Sequence, residues 1–443
     1  MARGFIKGDR DQIFLLPPSV DDWISKDHPV RFVSACVEHM DLDLFYESYA
    51  DEGRPPYDPR MMLGILIYAY SKGMRSSRKI SKACEEEVPF RWISGNITPD
   101  HRAICRFRSR HENEFKILFN EALRLCSESG LLNLGKIFLD GTKMKANAAL
   151  SANHTLDHIN KILEEAEAVD KAEDEKYGES ERGDKLPKEL ADPKERIKRI
   201  KAAKARLDQE LKQKQEEQAQ KIKEHAESGP KRGRKPKSPD QIKIGKKANI
   251  TDPESRIMKT RSGFVQAYNC QAVCTEEQII VSADVTQEEN DLYQLEPMLE
   301  QTTTTLRESG VEKTVDVLAA DAGYFREDLI VKEIEKDGPE LLICTKKSYK
   351  LRKELKEKKP LRERIPEDIS NRDLMDRRLL TENGYNIYKK RSCTIEPVFG
   401  QIKRCLNMNG FLRRGLKAVK SEWLLACSIS NLMKLFRFKA MAA

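Results

Sequence analysis

Two aspartates stand where apolar runs stop. "KIFLD" (136–140) ends on Asp140 and is followed by Gly141, and "VLAAD" (317–321) ends on Asp321, with Gly323 two residues later. A carboxylate at the lip of a strand serves a turn, a helix cap or a metal ion. Either aspartate, taken alone before its glycine, suits a turn. The third use carries chemistry: a hard cation such as magnesium takes oxygen ligands, so acids suffice and no histidine or cysteine is needed. That agrees with a chain of seven histidines, of which His154 and His158, at i and i+4, have no further ligand near them and read as an exposed helix face. Ten cysteines are scattered without a CxxC pair, which suits buried free thiols in a reducing cytosol.

The elements that must hold these residues fall into three blocks. At 443 residues there is room for two or three domains, and the excess of basic over acidic residues, 80 against 72, matters only where it is clustered. The opening "MARGFIKGDRDQ" has no apolar signal region, and "MMLGILIYAY" (61–70) is too short to span a bilayer, so a cytoplasmic protein is expected. Residues 1–130 read as helical. "DPRMMLGILIYAYSKG" (58–73) is an apolar helix stopped by Gly73, and "SSRKISKACEEE" (76–87) opens on capping serines. "TPDHRAICRFRSRHENEF" (98–115) has Thr98 as candidate N-cap and Pro99 at the first helical position. Arg102, Arg106, Arg108 and Arg110 make this last helix basic, and the two short helices before it complete the likeness to a helix-turn-helix unit. Arg102 and Arg106 are candidate DNA contacts.

Residues 151–259 form a charged insertion. Between 161 and 230 there are 17 basic and 19 acidic residues and one aromatic, Tyr177, a composition that buries no core of its own. Residues 192–227 are strong helix formers with sparse apolar positions at Ile197, Ile200, Leu207 and Leu211, which predicts a projecting helix. "GPKRGRKPKSP" (229–239) is similar to an AT-hook, with Arg232 and Arg234 as candidate minor-groove contacts, although its proline follows Lys235 rather than Arg234. A plain linker and a solvated charged face are the alternatives.

Regular patterning resumes in the third block, 131–150 and 260–443. "GFVQAYNCQAV" (263–273) and "QIIVSADVT" (278–286) read as a hairpin, 289–306 as a helix, 315–321 as a strand, 326–338 as a helix and 340–347 as a strand. With the insertion collapsed, three antiparallel strands are followed by parallel ones with helices on both faces, which is the ribonuclease-H-like arrangement. Asp140 and Asp321 then close adjacent strands at one edge, and a nearby helix must supply the third carboxylate. "TIEPVFGQIK" (394–403) offers Glu396, which on its own also suits a first-turn acid.

"FLDGT" (138–142), "ADAGYF" (320–325) and "YKKRSCTIEPVFGQIK" (388–403) together resemble the three signature blocks of DDE transposases of bacterial insertion sequences, in the group whose third block carries Tyr, Arg, Glu and Lys. "DQIFLLPPSVDDWISKDHPVRF", "GRPPYDPRMMLGILIYAYSKGMRSSRKIS" and "PDHRAICRFR" resemble the helical N-terminal domain of the same enzymes. The likeness covers nearly the whole chain outside the insertion. It implies Asp140, Asp321 and Glu396 as catalytic metal ligands, with Tyr388, Arg391 and Lys403 on the DNA end. It also implies two magnesium ions, with manganese as a substitute, and double-stranded DNA as substrate: the terminal inverted repeats of an element and a target. A homodimer in the paired-end complex, working at the nucleoid without a membrane, completes the picture. The family places three residues between Arg and Glu, whereas four separate Arg391 from Glu396. On one continuous helix these two side chains lie about 140° apart, and Pro397 predicts instead that the helix begins near Thr394. A nuclease that cuts without joining and a non-catalytic DNA-binding relative are the alternatives.

Overall fold

The computed structural model describes residues 19–49, 55–164, 193–227, 238, 247–328, 338–345 and 369–442. Arg232 and Arg234, Tyr177 and most of the helix expected over 326–338 lie outside the described residues.

Among the described residues, seven α-helices come first, after a 3-10 turn at Val20–Trp23: α1 (Pro29–Glu38), α2 (Asp43–Glu47), α3 (Pro59–Ser71), α4 (Ser77–Glu86), α5 (Val88–Ile93), α6 (His101–Arg110) and α7 (Phe115–Glu128). Helix α3 begins where Asp58 accepts from the amides of Arg60 and Met61 with Pro59 at the first position, and it is buried on every side from Met62 to Tyr70. Helix α6 starts later than its sequence suggests: Asp100, not Thr98, caps it, accepting from Ala103 N at 2.8 Å. On α6, Ala103, Ile104 and Phe107 face the core, and Arg108 goes in with them, 7% exposed. Its guanidinium donates to Tyr70 Oη and Arg75 O, each at 3.0 Å, so Arg108 is a structural residue. Arg102 and Arg106 remain exposed, and Arg110 lies 4.5 Å over the Tyr49 ring.

The rest is built on a mixed sheet, so the chain is mixed α/β after a helical N-terminal region. Strand β1 (Lys136–Lys145) is followed by the short β2 (Asn153–His154) and β3 (Ala248–Asn249), which pair with each other. Helix α8 (Pro193–Glu227) lies between these two, and β4 (Arg256–Thr260), β5 (Gly263–Thr275) and β6 (Ile280–Thr286) follow. Then come α9 (Leu295–Glu308), β7 (Val317–Ala320), β8 (Glu340–Ile343), α10 (Asn371–Leu380), α11 (Glu382–Cys405) and α12 (Leu416–Ala442). The strand order is β4-β5-β1-β7-β8, with β6 also on β5. Pairing is antiparallel among β4, β5, β6 and β1, and parallel from β1 to β7 to β8. Helix α12 packs against β6, α7 and α3, burying Trp423, whose Nε1 donates to Gln271 O at 3.1 Å.

The insertion departs from expectation. Ile200, Ala203 and Leu207, one face of α8 at helical spacing, pack on Ile159 and Leu163 of a helix over 156–164 and on Ala248, forming a small core of their own. Arg206 Nη1 ties the same helix to Pro253 O at 2.8 Å, ahead of β4.

A buried polar junction joins the N-terminal helices to the C-terminal segment. Arg75, 7% exposed, bonds Glu422, 1% exposed, at 2.5 Å. It also donates to the carbonyls of Asn407 and Gly410. Glu422 Oε2 in turn accepts from the amides of Leu412 and Arg413.

Candidate active site

Asp140 does not end its strand. β1 continues from Gly141 to Lys145, because those residues keep pairing with Gln271 back to Ala267 on β5. What ends is the neighbour on the other side. Leu139 faces Ala320, the last residue of β7, so Asp140 and Asp321 are the next residues on adjacent parallel strands. Asp321 turns its Oδ1 onto Gly323 N at 2.7 Å and caps the short turn Ala322–Tyr324. Asp140 accepts from Gly141 N at 2.8 Å through Oδ1 and from Arg391 Nη1 at 3.0 Å through Oδ2. Burial pushes the Asp140 carboxyl up to about 6; Arg391 pulls it back, while Asp321 and Asp291 add to the rise.

Helix α11 supplies the third side of the site. It does not begin near Thr394 but runs unbroken from Glu382 to Cys405 with Pro397 inside. Proline has no amide hydrogen, so the carbonyl of Cys393, four residues back, has no partner within the helix. Gln278 Nε2, from the turn between β5 and β6, donates to it at 3.3 Å. Despite its angular offset, the long Arg391 side chain spans the gap, with Nη2 lying 3.7 Å from Glu396 Oε1 while Nη1 holds Asp140. Arg391 also covers the Tyr388 ring at 5.9 Å. Tyr388 is largely buried, and that burial drives its phenol above the ordinary range. Glu396 keeps a 56% exposed side chain and meets Asp140 only through Arg391. Lys403 Nζ donates to Thr142 Oγ1 at 2.6 Å. Thr142 is two residues along β1 from Asp140 and on the same face of the sheet. Burial lowers the Lys403 ammonium below its usual range.

A further carboxylate escapes sequence reasoning. Asp291 precedes α9 rather than lying within a helix over 289–306. Its Oδ1 accepts from Asn269 Nδ2 and Gln271 Nε2, both at 2.7 Å. Tyr324 Oη donates to the same Gln271, and burial, followed by the fields of Asp291, Asp140 and Asp321, raises that phenol well above its usual range. No local sequence pattern marks Asp291; its place shows at two glycines once the chain is folded. A Cβ on Gly141 would come 2.5 Å from Gln271 Nε2 and 2.7 Å from Asp291 Oδ1, so Gly141 is glycine to make room, not to turn. A Cβ on Gly323 would likewise meet Asp321 Oδ1 at 2.9 Å, with Asp291 3.7 Å away.

Among the described residues, no three His, Cys, Asp or Glu side chains stand close enough together to hold a cation as arranged. The donor set nevertheless suits a hard divalent ion. Two aspartates share a sheet edge, and a positive group, the Arg391 guanidinium, already sits on Asp140 Oδ2. The rings of His154 and His158 lie 4.6 Å apart with no third ligand beside them among the described residues.

Two family models match the chain. Residues 18–110 match a transposase domain family (DUF772), and residues 343–436 match the transposase DDE domain. The second span contains Tyr388, Arg391, Glu396 and Lys403, while Asp140 and Asp321 fall between the two spans. No curated protein and no solved structure matches the chain significantly. Among the described residues no helix is long and apolar enough to cross a membrane. DDE transposases act on DNA and generally use divalent metals. With a transposase domain match at one end and a transposase DDE domain match at the other, in that order, the chain is consistent with a DDE transposase of an insertion sequence.

Proposed function

We propose that this transposase cuts DNA at the ends of its element and joins the freed ends to a target, using Asp140, Asp321 and Glu396 on a ribonuclease-H-like sheet. The observation that carries the reading is the register of β1 with β7, which sets Asp140 beside Asp321 where β7 stops, with α11 crossing this edge. Three antiparallel strands followed by two parallel ones, in the order β6-β5-β1-β7-β8, support the fold assignment. Cleavage is one phosphodiester exchange: a water oxygen bonds to phosphorus and the 3′ oxygen leaves as a hydroxyl. Joining is a second, in which that 3′ oxygen bonds to a target phosphorus and displaces the target's 3′ oxygen. Asp140, Asp321 and Glu396 would hold two magnesium ions, or manganese in their place, which when bound activate the attacking oxygen and stabilise the leaving one.

The chain's own groups bind and position. Arg391, on Asp140, and Lys403, on Thr142 two residues farther along β1, are cations that suit the phosphates at the DNA end. A phosphate that takes Arg391 releases Asp140 Oδ2, so DNA binding and cation loading assist each other. Arg102 and Arg106 contact duplex DNA from α6, and Arg232 and Arg234 add minor-groove contacts from the insertion. Two copies bring two element ends together. The test uses purified protein and DNA carrying the element's ends. Asp140→Asn, Asp321→Asn and Glu396→Gln should each abolish magnesium-dependent cleavage while end binding persists, and wild-type protein should join a pre-cut 3′-hydroxyl end to a plasmid. Cleavage that survives Asp321→Asn would remove the assignment; cleavage without joining would leave a nuclease.

A further inference from the structure

The turn between β5 and β6 contains a conformation that its sequence does not favour. Thr275 O accepts from Gln278 N, and Thr275 N donates to Ile279 O, each at 2.9 Å, closing a tight hairpin. Gln278 sits in the left-handed region at φ +64°. In such turns this position is normally glycine or asparagine, because a longer side chain there is strained. A glutamine held in that state points to a use for its side chain.

The use is visible one element away. Pro397 leaves the carbonyl of Cys393 without a helical partner, and its ring pushes that carbonyl outward. Gln278 Nε2 takes the place of the missing amide, while Gln278 Oε1 accepts from Gln401 Nε2 at 3.0 Å, one turn beyond the proline. Two further contacts fix the same turn: Lys390 Nζ reaches Glu276 Oε1 at 2.6 Å, and Lys434 Nζ donates to Gln278 O. Ser392 and Thr394 return their hydroxyls to the carbonyls of Lys389 and Lys390, a pattern that bends helices. The segment thus clamped, 390–401, carries Arg391 and Glu396.

We propose that Gln278 is a positioning residue for transposition: its side-chain amide replaces the hydrogen bond that Pro397 removes and so sets Arg391 and Glu396 against the aspartate pair. The inference rests on the function proposed above. It also accounts for a proline in the middle of an active-site helix. The proline lies in one element and the hydrogen bond it removes is supplied by another, so the two α11 residues and the β1 and β7 aspartates share a common reference in the sheet.

The test is a cycle on the full chain. Gln278→Glu keeps the size, the backbone and an acceptor for Gln401 but removes the donor to Cys393. It should lower the single-turnover rate of end cleavage at least tenfold, since small displacements of reacting groups cost rate steeply, while DNA affinity and thermal midpoint stay near wild type. Pro397→Ala restores the helical amide, so in that background Gln278→Glu should have no further effect on the rate. Gln278→Gly relieves the backbone strain and loses the clamp, so its thermal midpoint should hold while its rate falls. Hydrogen exchange over 390–397 should quicken in Gln278→Glu and be unchanged by the same substitution in Pro397→Ala. Wild-type rates for Gln278→Glu, or an equal loss in both backgrounds, would overturn the proposal. A wild-type protein whose cleavage ignores Asp321→Asn would overturn the parent reading instead, so the two failures are distinct.

Discussion

Asp140 should weaken the fold it belongs to, and by an amount that pH sets. Its carboxyl has a folded value of about 6 against 3.8 for the ordinary group, so the native state holds the proton more tightly than the unfolded chain does. Stability contributed by this group is therefore greatest below pH 3.8 and is lost as pH rises to about 6, where the loss levels off. A displacement of this size corresponds to about 3 kcal/mol, and Arg391 has already been counted in it, as the contact that draws the carboxyl back down. Asparagine at 140 has the same shape and no charge to desolvate. Urea denaturation of wild type and Asp140→Asn in a chelator, from pH 4 to pH 8, should give matching stabilities at the acid end and a variant more stable by about 3 kcal/mol above pH 7. Manganese added to the wild type at pH 8 should close most of that gap, since a ligand at a hundred times its dissociation constant adds about 2.7 kcal/mol. A gap that stays constant with pH, or that narrows toward alkaline pH without metal, would rule out a raised Asp140 carboxyl in the folded state.

Other substitutions probe the rest of the site. Asp291→Asn keeps an acceptor for Asn269 and Gln271 but removes a charge; it should leave the fold intact and weaken manganese binding measured by calorimetry, and unchanged affinity would confine Asp291 to packing. Gly400 lies on the exposed face of α11, where an added Cβ meets nothing within 4 Å. Gly400→Ala should therefore raise stability by up to about 1 kcal/mol in denaturation while reducing end cleavage, if DNA passes close to the helix there; equal or better cleavage would show that the surface is free. Replacing Arg102 and Arg106 with alanine should lower the slope of log affinity against log salt by about 0.9 for each phosphate no longer neutralised, and an unchanged slope would take α6 off the DNA.

What the sequence disclosed was the pairing of acids with strands, because an apolar run that stops on aspartate is a local pattern. Asp140 and Asp321 were legible for that reason. The continuation of β1 was not, since "DGTKMK" is polar and glycine-led, and only pairing with β5 keeps it extended. Pro397 reads as a helix start because proline usually is one; the partner that lets it lie mid-helix, Gln278, is more than a hundred residues away in sequence. Asp291 sits in an acidic loop with no periodicity, and its role depends on Asn269 and Gln271, which look like ordinary strand residues. Arg108 differed from its neighbours only by falling four residues after Ile104, on the apolar face of α6. The small core of the insertion was hidden differently: Ile200, Ala203 and Leu207 show helical spacing, but their partners lie some forty residues earlier and later.

The Arg75–Glu422 junction changes what the first third of the chain is. Arg75 lies between α3 and α4, and its charge is neutralised in the interior by a residue of α12, so detaching the helices would strand a buried guanidinium on one side and a buried carboxylate on the other. Arg413 adds to the joint by donating to Arg108 O and Ser109 Oγ at either end of one peptide step on α6. If α6 contacts the DNA as proposed above, a region fastened in this way would work as the fixed jaw of a caliper rather than as a tethered reading head. The span from α6 to the aspartate pair then becomes a molecular length, and the offset between the bases recognised and the bond cut is inherited from it. Elements mobilised by such a chain would carry ends of constant geometry, with little tolerance for spacers inserted between recognition sequence and terminus.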